Sequence, residues 1–304
     1  MNAATLKKDQ TRGIQLMLLG CIVLPMMDAS AKYMGETIAA AVIVLARFSF
    51  QSILLFPFVR KTLSWPAKAE LILHIKRSIS ICFATVCFFT AIQVMPIADA
   101  LAIFFVMPLL VTLLAPWMLG ETFGWRRLIA VLVGMGGAMI IIQPGHEIFG
   151  LRAFLPLLTA LGFTFYLMYT RKLARQEAGG NVAPLTMQFW SGFFGSIIMM
   201  ITLLFMQPFD LPVFNLAWPE LWQMRQLFMV GLLAAIGHLL VAHAFKHSDA
   251  SVLAPFQYSE LIVAALLGWW LFDDIPAVTT WIGAAILVAS GLYIFHREQT
   301  SAAD

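Results

Sequence analysis

Long apolar runs separated by short polar joins fill this chain, at about 13–33, 39–59, 77–95, 98–119, 126–143, 150–170, 183–206, 226–246, 252–272 and 277–295. Each is near or above the ~18 residues that carry an α-helix across a hydrocarbon core. They are too long and continuous for the alternating strands of an outer-membrane barrel. Helices apolar on every side need lipid or protein all round them. The pattern therefore predicts an all-α integral membrane protein with ten transmembrane helices. The runs form two sets of five, 13–143 and 150–296, between short tails at 1–12 and 297–304. Five crossings is an odd number, so a second copy of a five-helix unit must enter the membrane from the opposite side. Two inverted five-helix repeats are an architecture of secondary transporters, which hold a substrate near the midplane.

Charge sharpens this picture. Apolar residues make up 61% of the chain and charged residues 12%, about half the charge of a soluble domain. With the N-terminus inside, fifteen of the nineteen Lys and Arg fall on the cytoplasmic side, and only Lys32, Arg152 and Arg225 fall outside. Arg47 lies within a span. The asymmetry predicts cytoplasmic termini and, in a bacterial-type cell, the inner membrane. No basic helix or basic–aromatic patch stands outside the membrane, so no nucleic-acid partner is expected. Lys7, Lys8 and Arg12 before an apolar run ending in Ala29-Ser30-Ala31 resemble a cleavable leader. Asp28 interrupts that run, however, and cleavage would leave nine spans, so a retained first helix is the reading. No glycine-rich nucleotide loop is present, which argues against ATP coupling and against a cofactor.

Ionisable side chains within spans are costly and tend to face a partner or a water-filled cavity. Arg47 in the second span and Glu260 in the ninth are both near the midplane and come from opposite halves. They are expected to line a central cavity, either paired or binding opposite charges of a substrate; a permanent packing bridge is the alternative. Asp28 and Lys32 lie four apart on span 1, so they share a face and are able to neutralise each other. The same two residues are candidates for an outer gate or a coupling-ion site. His238, central in span 8, titrates near neutrality and is a candidate for proton coupling; a hydrogen-bonded packing histidine is the alternative. Gln93, Gln257, Tyr258, Tyr166 and Trp190 add amides and aromatics suited to a planar or amphipathic organic substrate. Pro108 and Pro255 interrupt spans 4 and 9 as candidate kinks. His243 and His247 lack a third metal ligand, and Cys21, Cys82 and Cys87 read as packing residues, so no metal site is expected.

The halves end alike. Asp99 to Trp125 reads DALAIFFVMPLLVTLLAPWMLGETFGW, and Asp249 to Val278 reads DASVLAPFQYSELIVAALLGWWLFDDIPAV. The following helices are rich in small residues, Ala130, Gly134, Gly136, Gly137 and Ala138, then Gly283, Ala284, Ala285, Ala289 and Gly291. Such faces allow close packing within the bundle or a homodimer through helices 5 and 10.

These residues resemble the EamA family of the drug/metabolite transporter superfamily over nearly the whole chain. The marks are Gly120-Glu121, the Ala254–Glu260 run with Phe272 and Asp274, the Asp28–Lys32 segment, and Ile97-Ala98-Asp99-Ala100. Asp273-Asp274 replaces the more usual Gly-Glu. The resemblance implies a ten-helix bundle whose cavity lies between helices 1–4 and 6–9, with helices 5 and 10 outside it. Within the family, the chain looks closest to members described as moving riboflavin or S-adenosylmethionine; amino-acid and drug exporters belong to it too. The expected function is secondary transport of a small organic metabolite across the lipid bilayer by alternating access around a midplane site. Nothing organises an intramembrane catalytic site, so an enzyme is not expected, and a passive channel is the remaining alternative.

Overall fold

The computed structural model describes residues 3–119, 125–143, 150–176, 184–248 and 250–303. Gly120, Glu121 and Asp249 lie outside the described residues. The described chain is helical: α1 (Ala3–Met34), α2 (Ala40–Val59), α3 (Lys68–Ile92), α4 (Ile97–Phe104), α5 (Met107–Leu119), α6 (Trp125–Ile142), α7 (Leu155–Gln176), α8 (Pro184–Met206), α9 (Leu221–His247), α10 (Ala250–Gln257), α11 (Ser259–Phe272) and α12 (Val278–Ala303). The pairs α4–α5 and α10–α11 are each one interrupted span, so the twelve helices make ten crossings in two sets of five. Eight crossings are long and apolar by themselves, and the fifth and tenth hold shorter apolar helices, Leu128–Ile142 and Val278–Ile294. Only helices hydrogen-bond every backbone group within one segment, so a bilayer selects them for such sequences.

Packing relates the two sets by an approximate two-fold. The pairing of α1 with α9 is matched by that of α7 with α3. The pairing of α2 with α9 is matched by that of α8 with α3, and α1 with α11 by α7 with α5. The pairs α2–α8 and α6–α12 map onto themselves. With five crossings per set, this arrangement is two inverted repeats. A Cβ on Gly137 would sit 2.8 Å from the Gly283 carbonyl oxygen, and one on Gly283 would sit 2.5 Å from the Gly137 oxygen. The small-residue faces of spans 5 and 10 thus close on each other within one chain. Lipid gives helices no hydrophobic reason to associate, so this backbone approach is what joins them.

Both breaks fall at equivalent places. The Phe105 and Val106 amides bond back to Leu101 and Ile103, and the next helix starts with Pro108 in its first turn. Proline offers no N–H to the preceding turn. In the second repeat, Pro255 lies in α10, three residues before the break at Tyr258. Ser259 Oγ donates to the Phe256 carbonyl at 2.6 Å, and Cys21 Sγ lies 3.7 and 3.8 Å from the Phe256 and Gln257 carbonyls. The freed backbone groups are thereby partly satisfied.

Candidate functional site

A cavity of about 330 Å³ lies between the repeats. Its wall is drawn from spans 1, 2, 3, 4, 6, 8, 9 and 10. Span 10 therefore contributes, through Gly291, Leu292 and Ile294, where the resemblance placed it outside; among the described residues span 7 contributes none. The breaks in spans 4 and 9 deliver the Phe105 and Tyr258 rings to the wall, with centroids 5.0 Å apart. The cavity runs from Asp28 and Leu101 to Arg171 and Phe245, both of which are exposed.

Arg47, Asp28, His238, Glu260, Gln257 and Tyr258 all line it. Arg47 is 3% exposed; its Nη1 donates to Thr85 Oγ1 at 2.8 Å and its Nη2 to His238 Nε2 at 2.6 Å, while Nε has no partner. An imidazole nitrogen that accepts from a guanidinium is unprotonated, so His238 here is a neutral acceptor. Arg47 and Glu260 do not form an ion pair with each other. Asp28 lies within electrostatic reach of both.

The other expected residues sit elsewhere. Lys32 pairs with Asp274 Oδ2 at 2.6 Å and donates to the Met95 carbonyl at 2.9 Å, rather than meeting Asp28. Asp274 is aimed by its neighbour: Asp273 caps α11 in the left-handed region (φ 56°), and the Asp274 amide bonds back to the Gly268 carbonyl. That is the helix-end turn in which glycine is usual. Gln93 caps the end of α3, away from cavity depth, with its side chain against Gly35. Tyr166 turns from the cavity to accept from Arg77 Nη2 at 2.8 Å. Trp190 stacks in an aromatic cluster with Trp65, Phe189 and Phe194.

Arg77 is the residue that sequence reasoning missed. It stands at the very start of the 77–95 apolar run, on the cytoplasmic side of the charge count, but α3 begins at Lys68, about two turns earlier, so Arg77 lies well inside the helix. Arg77 is 2% exposed and also donates to Thr170 Oγ1 and the Met187 carbonyl, tying span 3 to spans 6 and 7. At the opposite end, Lys32–Asp274, Thr280–Asp99 at 2.8 Å and Gln223–Thr37 at 3.2 Å join the two repeats. Among the described residues no cluster of three or more metal-ligating side chains occurs.

Known proteins match this architecture. The profile of the EamA-like transporter family covers residues 11–143 and 151–295. The S-adenosylmethionine uptake transporter of Rickettsia bellii (strain RML369-C) is 26% identical over 298 residues, which is 96% of this chain and 96% of that protein. The riboflavin transporter of Vibrio cholerae serotype O1 is 31% identical over 210 residues, 67% of this chain and 64% of that protein. A solved crystal structure superposes with a TM-score of 0.62 at 14% identity, covering 94% of this chain and 98% of the other.

Proposed function

The chain belongs to the EamA-like transporter family, and from that premise we propose that it moves a small organic metabolite across a bacterial inner membrane by rocking its two repeats about the central cavity. The observation that carries this reading is the cavity itself. It is built from both repeats, it is lined by Arg47, Asp28 and Glu260, and its Lys32 end is spanned by inter-repeat polar contacts. The Lys and Arg asymmetry favours cytoplasmic termini; in this reading the Arg171 end of the cavity is the cytoplasmic one and the conformation is inward-facing. The names of the relatives supply the first substrates to try, an S-adenosylmethionine-like or a riboflavin-like molecule. Cavity-lining Arg47, Glu260, Gln257 and Tyr258 are the binding residues in this reading. Lys32 belongs to the outer closure and His238 acts by orienting Arg47.

Purified protein in vesicles tests the proposal. Labelled S-adenosylmethionine or riboflavin should exchange across the membrane with saturation, and Arg47→Gln and Glu260→Gln should lower exchange at least tenfold in well-folded protein. Flux that rises linearly with concentration and ignores both substitutions would favour a channel. A cysteine placed at Lys61 should react with an impermeant reagent from the cytoplasmic side alone; reaction from outside alone would reverse the topology.

A further inference from the structure

Two carboxyl groups, one from each repeat, line the cavity beside a single buried guanidinium: Asp28, Glu260 and Arg47. Asp28 is 4% exposed. Among the described residues, neither carboxyl group takes a hydrogen bond or an ion pair. Arg47 is committed to two neutral acceptors, Thr85 and His238, so its charge acts on Asp28 through space. Asp28 in turn lies within electrostatic reach of Glu260.

The other ionisable groups around the pair are engaged or neutral. His238 of span 8 is a neutral acceptor, and His243 of the same helix bonds to the Leu239 carbonyl. The thiols of Cys21 on span 1 and Cys82 on span 3 turn to backbone carbonyls, and Tyr258 at the break of span 9 is a neutral phenol. Arg77 of span 3 is held by Tyr166 and Thr170. At the outer end Lys32 and Asp274 hold each other, and Asp99 of span 4 accepts from Thr280. Arg171 of span 6 stands at the exposed mouth, where solvent screens it. Among the described residues, span 10 presents no ionisable side chain to the cavity.

The cavity therefore sets one guanidinium against two carboxyls. One carboxylate balances Arg47, and a second would have nothing to balance it. A lone carboxylate in a low-dielectric interior is far costlier than the neutral acid. We propose that Asp28 and Glu260 form a proton-binding site, which holds one exchangeable proton and thereby makes the cavity electrically neutral. Asp28 is the carboxyl within reach of Arg47, so the proton resides on Glu260. The consequence for transport rests on the reading of the cavity as the transport site. The repeats close over a neutral cavity when the proton is in place, and over a stranded charge when it is lost.

Infrared difference spectra of the detergent-purified protein read the proton directly, because only a protonated carboxyl carries an acid C=O band, which moves to lower frequency in D2O. At about pH 7 the wild type should show an acid band that is lost in Glu260→Gln. It should be lost in Asp28→Asn too, since Glu260 then becomes the balancing charge for Arg47 and gives up its proton. Arg47→Gln should gain the intensity of one further acid, both carboxyls being left without a counter-charge. Equal spectra for wild type and Glu260→Gln, a band at full strength in Asp28→Asn, or no gain in Arg47→Gln would overturn the proton count. Loss of the wild-type band when sodium chloride replaces potassium chloride would make the pair a sodium site instead.

Vesicles with equal pH on both sides tie the site to transport. Exchange of labelled S-adenosylmethionine or riboflavin should fall roughly tenfold as the pH rises from about 6 to about 9 and the proton leaves. The residual exchange of Glu260→Gln, which is neutral throughout, should be flat over the same range. A wild type as flat as that variant would overturn the proton's role in transport. The expected acid bands in a protein that moves neither probe would overturn the transporter reading alone. Missing bands in a protein that moves one of them would overturn the proton site alone.

Discussion

Lys32 Nζ lies 2.6 Å from Asp274 Oδ2, a contact that ties span 1 of the first repeat to the end of span 9 in the second. Only 13% and 26% of the two side chains are exposed, so the pair is partly desolvated and worth more than a surface bridge. Lys32→Met and Asp274→Asn should each lower stability by about 1–3 kcal/mol. Thermal unfolding of the single and double variants should give a double variant no worse than either single. Strict additivity would show that the pair contributes nothing.

Asp273 holds a left-handed conformation at φ 56°. Asp273→Gly should remove steric strain of roughly 1 kcal/mol and raise the midpoint of unfolding slightly. A lowered midpoint would mean that the aspartate side chain contributes more than its backbone costs.

Arg77 has neutral partners, the Tyr166 hydroxyl, the Thr170 hydroxyl and the Met187 carbonyl, and its guanidinium lies 4.7 Å from the Tyr166 ring centre. Tyr166→Phe should cost about 1–2 kcal/mol of stability and leave ligand affinity within about twofold, since the hydroxyl faces span 3 and not the cavity. Arg77→Gln should cost about 3 kcal/mol or more. Denaturation curves beside binding isotherms distinguish this from a substrate role, in which affinity would fall first.

Gly283 meets the Gly137 backbone, which cannot yield as a flexible side chain would. Gly283→Ala should destabilise by about 1–3 kcal/mol. Gly136, whose added Cβ would meet nothing within 4 Å, should tolerate alanine with no loss. Unfolding midpoints of the two variants compared side by side settle the point; equal midpoints would mean the helices shift apart freely.

Pro108 keeps span 4 broken beside the cavity. Pro108→Ala restores an amide able to bond to the preceding turn. Transport rate should fall roughly threefold or more while thermal stability holds or rises, the behaviour of a hinge substitution. Unchanged flux would make the break a static feature of packing.

Much of the architecture is legible in the sequence. The ten crossings follow from run lengths, and Pro108 and Pro255 stand near the two breaks. Arg47, Asp28, His238, Glu260, Gln257 and Tyr258 converge on one cavity, as polar groups stranded in apolar spans suggest they should. Less legible were the partners. A spacing of four on one helix allows Asp28 to meet Lys32, but the ammonium reaches Asp274, 242 residues along the chain. Arg77 stands at the edge of its apolar run, because hydropathy marks where a helix enters lipid and not where its backbone begins. Trp190 and Tyr166 have the composition of a binding wall, yet pack away from it.

The sequence by itself determined that this chain spans the membrane as helices and that it does so in two groups of five, because a bilayer penalises every unbonded backbone group and admits few other solutions. Only the tertiary structure decided which apolar faces meet protein and which meet lipid. Both environments are apolar, so residue type scarcely distinguishes them, and the choice rests on shape: Gly137 against Gly283, and the Phe105 and Tyr258 rings side by side where two helices break.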